Sequence, residues 1–176
     1  MTSATTPAAT TIPAGTTTTV AGRRSDPHPQ SDHDTDEAVE PIRLRVVGGG
    51  EIAVALAQLA SVLRWDCTIC ERLDDADDLR GTHALVVLSH DLEVAGTALC
   101  RGLAGPLDYV GGLGGHTTQR LRRDWLRSRR VDPQRIDRIH GPAGLDIGAS
   151  APVEIALAIV AEIVAVRHGA AGGPLS

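Results

Sequence analysis

From residue 42 onward, short apolar runs alternate with amphipathic stretches. Ile42-Arg43-Leu44-Arg45-Val46-Val47 is a β-branched run that stops at Gly48-Gly49-Gly50. It predicts a strand. Ile52, Leu56, Leu59 and Leu63 then recur in steps of four, three and four, which is the stripe of an amphipathic helix. Asp66–Glu71 predicts a second, buried strand. Ala84–Leu88 is wholly apolar and predicts a third, covered on both faces as in a parallel sheet. Val94–Leu103 reads as a helix. Tyr109-Val110 opens a short fourth strand ending in Gly111-Gly112-Leu113-Gly114-Gly115. An arginine-rich helix over 118–129 follows, then a turn of helix at Asp132-Pro133. A loop with three glycines spans His140–Ser150, and a last helix, apolar nearly all round and so expected to be buried in the core or in a dimer, runs from Pro152 to about Arg167. Gly169, Gly172, Gly173 and Pro174 end it in a disordered terminus over 169–176. Strands alternating with helices predict an α/β fold: one Rossmann-like, doubly wound parallel sheet over residues 41–168.

Residues 1–40 differ from the rest. The first 22 are almost all Thr, Ala, Pro and Gly, and residues 23–40 set two arginines against six carboxylates. Such a segment buries too little apolar surface to offset its ordering entropy, so a disordered tail is expected. It has no continuous apolar stretch of the kind a secretory signal needs. The most apolar run, Ile155–Val166, is broken by Glu162 and is too short to span a bilayer at roughly 20 residues. A cytoplasmic protein without membrane attachment is expected.

Composition narrows the chemistry. Only Trp65, Tyr109 and Trp125 are aromatic, and the net charge is −5. Base stacking and general nucleic-acid binding are therefore not expected. All 17 basic residues are Arg, so a Tyr-x-x-x-Lys catalytic pair is impossible. Cys67 and Cys70 have redox or zinc half-site spacing, but on a strand residues three apart point to opposite faces. No second pair exists to complete a zinc site. Cys67, Cys70 and Cys100 are read as structural. His90, Asp91, His140 and Asp146 have no local ligand spacing, so no metal site is expected.

Gly48-Gly49-Gly50-Glu51-Ile52-Ala53 is a G-x-G-x-x-A phrase between a strand and a helix. Gly48 allows the tight turn, Gly50 lets a pyrophosphate approach, and Ala53 allows close packing. Glu51 opens the helix whose free N–H groups would face phosphate. Glu71, 21 residues past Gly50, stands where a carboxylate accepts hydrogen bonds from a ribose diol. The other reading is a glycine turn whose nucleotide site is degenerate or takes another phosphate ligand.

Several phrases recur together: Val46-Val47-Gly48-Gly49-Gly50, Leu88-Ser89-His90-Asp91, Tyr109-Val110-Gly111-Gly112-Leu113-Gly114, and Ile139-His140-Gly141-Pro142-Ala143-Gly144-Leu145-Asp146-Ile147-Gly148. Over residues 43–168 the chain resembles the C-terminal Rossmann domain of the XdhC/CoxI family, accessory factors of xanthine dehydrogenase and related molybdenum hydroxylases. The resemblance implies a maturation role: holding molybdenum cofactor (molybdopterin), helping its sulfuration and passing it to the apo-hydroxylase. It implies binding more than turnover. A cysteine desulfurase, a separate N-terminal-type chain of the family and a second copy of this chain are further expected partners. Two departures stand out. The family's Ser-Arg-Arg-Thr is here Gly115-His116-Thr117-Thr118, and its His-Asp-His is His90-Asp91-Leu92. Full-length members carry an N-terminal domain where this chain has its tail.

Ligands bind outside the carboxyl ends of the strands in such sheets. The candidate cofactor-binding residues are therefore Gly48, Gly50, Glu51, Glu71, Ser89, His90, Asp91, Gly111, Gly114, His116 and Asp146. His90 and Asp91 suit hydrogen bonding or proton transfer, or Asp91 caps the next helix. His116 suits a phosphate contact or a solvated loop, and Asp146 a ligand contact or an orienting role in its loop. Arg120, Arg122, Arg123, Arg127, Arg129 and Arg130 oppose only Asp124 and are read as a solvated helix face, the other reading being a docking surface for an acidic partner or the cofactor's phosphate. The competing function is a small NAD(P)-binding oxidoreductase, with His90 or His116 as acid, or a nucleotide-sensing regulatory domain.

Overall fold

A computed structural model describes residues 40–74 and 78–173. The expected tail up to residue 39, most of the acidic patch at 74–78 and the last three residues lie outside the described residues. Five strands form one parallel sheet in the order β2-β1-β3-β4-β5. They are β1 (Arg43–Val47), β2 (Asp66–Cys70), β3 (Ala84–Val87), β4 (Tyr109–Gly112) and β5 (Ile139–His140). The helices are α1 (Glu51–Val62), α2 (Leu92–Ala104), α3 (His116–Ser128), α4 (Pro133–Ile136) and α5 (Pro152–Arg167). This is the Rossmann-like α/β arrangement, wound on both faces.

Each face has its own core. On one, Leu44, Val46 and Val86 of the sheet meet Leu56 of α1 and Ile159 and Ile163 of α5. On the other, Val47, Leu85, Val87 and Val110 meet Leu99 of α2 and Trp125 and Leu126 of α3. Alternate residues of one strand feed opposite cores, as the two-residue period requires. With so few aromatic residues, closeness comes from small side chains. Ala53, Ala55 and Ala60 of α1 are buried. Leu63, the last residue of the expected stripe, lies past the helix and is exposed.

Three expectations need correction. The second strand is an edge strand, and its pattern is largely exposed, with Ile69 at 42%. The segment after Arg138 is not loop from its start. Ile139-His140 pairs with Val110-Gly111 as β5, because the chain there runs beside β4 in register. Helix α5 is not buried all round either: Val153, Leu157 and Val164 are exposed on one side, while Ile159 and Ile163 pack inward. Among the described residues no helix is long and apolar enough to cross a membrane.

Candidate functional site

From β1 the chain winds outward to β2, then returns past β1 to β3. The loops leaving β1 and β3 therefore diverge at a topological switch point, where open α/β sheets form their ligand crevice. A cavity of about 530 Å³ lies there, lined by Gly48–Gly50, Glu51, Glu71, Ser89 and His90. A second, of about 710 Å³, is lined by Gly114, Gly115, His116 and the loop Pro142–Ala149. Ile52, His90 and Leu113 line both, so the two cavities are lobes of one cleft.

Glycines shape the first lobe. Gly48 has φ 108°, and a Cβ there would sit 2.7 Å from Ser89 N. The β1 and β3 loops touch only because that atom is missing. Helix α1 begins from Gly50 and α3 from Gly115, and neither has a side-chain cap. At α2 and α4 a side chain does the capping. Asp91 Oδ1 accepts from Val94 N at 2.9 Å for α2, and Asp132 accepts from Gln134 N for α4. At α5 the N-cap is Ala151, with no side-chain cap, and Glu154 Oε2 accepts from Ser150 N and Ala151 N just before the helix. The cleft thus receives two helix N-termini whose amides no side chain satisfies.

Two buried polar residues of α3 hold the cleft floor from below. Arg122 is 1% exposed and Gln119 4%. The Arg122 guanidinium donates to Leu113 O and, at 2.9 Å, to Ser89 O. Gln119 Nε2 donates to Gly112 O at 2.7 Å and Gly114 O at 2.8 Å. Burial pulls the Arg122 pKa below its ordinary value. This corrects the expected solvated arginine face at Arg122, while Arg120, Arg127, Arg129 and Arg130 are exposed as expected. Arg122 falls on the inward stripe with Trp125 and Leu126, and that spacing was its signal in the sequence.

A third anchor lies behind the second lobe. Glu162 of α5 accepts Tyr109 Oη–H at 2.6 Å and Gly144 N–H at 2.7 Å, and meets His140 Nδ1 at 2.9 Å. The Tyr109 and His140 rings stack with centroids 4.5 Å apart. Burial works to raise the Glu162 pKa, but the hydrogen bonds from His140, Tyr109 and Gly144 outweigh it and hold the carboxyl below its ordinary value. Burial, with the Glu162 charge, pushes the Tyr109 hydroxyl strongly up. The signal for this anchor was a lone carboxylate interrupting an apolar helix.

The structure brings Gly48, Gly50, Glu51, Glu71, Ser89 and His90 to the first lobe, and Gly114, His116 and Asp146 to the second. It does not bring Asp91 or Gly111 to either. Asp91 spends its carboxylate on the α2 cap. Gly111 lies inside β4 under the Tyr109 ring, where a Cβ would collide with it. Cys67 and Cys70 are half-buried and pack against opposite cores. Among the described residues no three His, Cys, Asp or Glu side chains are grouped to hold a metal.

The sheet order, the glycine turn and the cleft at the switch point define a Rossmann-type domain. Residues 44–163 match the XdhC Rossmann domain, and the chain belongs to that family. It is 28% identical over 155 residues to the uncharacterized protein YqeB of Escherichia coli (strain K12), covering 74% of this chain and 28% of that protein. It is also similar to a crystal structure described as a xanthine dehydrogenase from Bacillus halodurans. There the TM-score is 0.58 at 23% identity, over 73% of this chain and 43% of the other. That likeness is one of fold. The chain thus spans less than half the length of either protein.

Proposed function

We propose that the cleft holds a phosphate-bearing cofactor and that the chain acts as an accessory factor for a molybdenum hydroxylase. The cofactor is molybdopterin or NAD(P), and the role is its sulfuration or its insertion into the apo-enzyme. The observation that carries this reading is the pair of uncapped helix N-termini, at Gly50 and Gly115, opening onto one cleft. A Cβ at Gly49, Gly50 or Gly115 would meet nothing within 4 Å, so these backbones border open space. Backbone amides at a helix start suit phosphate. The residues fit such a group as follows. Gly49 and Gly50 would take the phosphate, and Ile52 and Leu113 would supply apolar contact to a ring. Among the described residues no Trp or Tyr side chain lines either lobe, so no such ring would sandwich a pterin. The cofactor's redox chemistry would belong to the hydroxylase that receives it.

One feature favours a second reading, a nucleotide-binding oxidoreductase or regulator. Glu71 lines the first lobe beside the glycine turn, the position of a ribose-diol acceptor. Two measurements separate the readings. The purified protein is denatured and its released small molecules are identified by mass spectrometry. It is then titrated with molybdenum cofactor, NAD and NADP. Pterin binding without hydride transfer supports the accessory role. Nucleotide-dependent turnover of a simple substrate, without pterin binding, overturns it. Pull-down of apo-hydroxylase or of a cysteine desulfurase would identify the proposed partners, and sedimentation would show any homodimer.

A further inference from the structure

We infer that Arg122 is a positioning residue that aims backbone N–H groups of two separate loops into the cleft. The inference rests on the cleft being the ligand site. In a trans peptide the C=O and the following N–H point in opposite directions. Arg122 fixes Ser89 O and Leu113 O toward α3. The next N–H groups, those of His90 and Gly114, must then face away from α3. Gln119 does the same for Gly114 O and hence for Gly115 N–H. Among the described residues none of these three N–H groups has an acceptor. All three residues line the second lobe, and His90 lines the first as well.

Two loops, one after β3 and one after β4, are thereby locked to a single planar guanidinium. Its fork reaches both carbonyls at once, which a lysine ammonium on a flexible stem does not reproduce. Its buried charge lies behind the outward-facing amides and adds to their attraction for an anion. Among the described residues, Arg122 and Gln119 are the buried charged and amide side chains. A buried charge is retained at a cost, so its position beneath both loops calls for a use.

The test is a 15N NMR titration of the full chain with inorganic pyrophosphate and with NAD, comparing wild type, R122K and R122Q. In wild type the His90 and Gly114 amides shift together on binding. In R122Q the shifts of these two amides at saturating ligand shrink at least threefold, while those of the Gly49 and Gly50 amides stay within about a third of wild type. R122K, which retains charge but not the fork, falls between, and it carries the comparison if R122Q does not fold. Equal saturated shifts at His90 and Gly114 in all three proteins overturn the inference. If wild type binds neither probe, the cleft reading fails on its own. Ligand-free amide exchange then decides the role of Arg122. Joint acceleration in both loops of the variants supports the lock, and unchanged exchange overturns it.

Discussion

Tyr109 and Glu162, 53 residues apart in sequence, share a hydrogen bond of 2.6 Å across the interface of β4 and α5. The same carboxylate takes Gly144 N–H, so one side chain ties the sheet, the last helix and the loop of the second lobe. Removing it leaves a buried hydroxyl and an amide without an acceptor. E162A should therefore cost about 2–4 kcal/mol, since each unsatisfied buried group costs about 1–3 kcal/mol. Y109F removes one donor and should cost about 1 kcal/mol. Urea denaturation checks both. A cost for E162A no greater than for Y109F would refute the anchor.

The same carboxylate sets an acid limit. Its folded pKa lies below the ordinary value of 4.5. A depressed carboxyl stabilises the fold above its unfolded pKa, and that contribution is lost as pH falls through the folded value. Wild-type stability should therefore drop as pH falls below about 4.5, the ordinary glutamate range. E162Q should be less stable at neutral pH and show a shallower acid decline. Denaturation midpoints from pH 3 to 7 give the comparison, and parallel curves for the two proteins would disprove this.

Neighbouring glycines at the first lobe should behave oppositely. Gly48 combines φ 108° with a Cβ position 2.7 Å from Ser89 N. G48A should be destabilised by about 1–3 kcal/mol, because strained backbone and a backbone clash both oppose it. Gly49 has open space where its Cβ would lie. G49A should keep its melting temperature and change only phosphate-dependent binding. Thermal unfolding of both variants tests the contrast, and equal losses would remove the close approach as its cause.

The alternation of apolar runs and stripes made the sheet, its helices and the glycine turn legible in the sequence. A fully buried strand such as Ala84–Val87 carries its environment in its composition. What escaped was decided by position in space. Asp66–Cys70 is apolar enough to look buried, but strand order, which no local pattern encodes, puts it at the edge. Ile139-His140 is too short to show a period. Arg122 and Glu162 look like surface residues by type. Only the partners brought to them, Ser89 and Leu113 for one, Tyr109 and Gly144 for the other, make burial affordable. Of the cleft lining, the glycine loops and Glu71 were readable because they directly follow the strands.

Glu71 gives a test of ligand class. It is exposed in the first lobe, at the end of the edge strand. A hydrogen bond from a ribose hydroxyl to a carboxylate contributes about 1.5–3 kcal/mol. E71A should therefore weaken binding of a ribose-bearing ligand such as NAD by about tenfold or more. Binding of pyrophosphate, which has no diol, should not change. Calorimetric titration of both ligands is the measurement. Equal effects on the two would place Glu71 away from any ribose.

Cys67 and Cys70 give the last prediction. They share the spacing of a redox pair but sit on opposite faces of β2, Cys67 against the α1–α5 core and Cys70 against the α2–α3 core. Burial raises the Cys67 thiol pKa, and the neighbouring Asp66 carboxylate raises it further. The thiolate is the reactive form, so a raised pKa makes the residue inert near neutral pH. Cys67 should react with iodoacetamide at pH 7.5 at least tenfold more slowly than glutathione, and the rate should climb steeply above pH 9. No Cys67–Cys70 disulfide should form under mild oxidant, because the side chains point apart. Peptide mass spectrometry resolves each site. Rapid alkylation of Cys67, or a bridge between the two, would mean that the edge strand leaves the sheet readily.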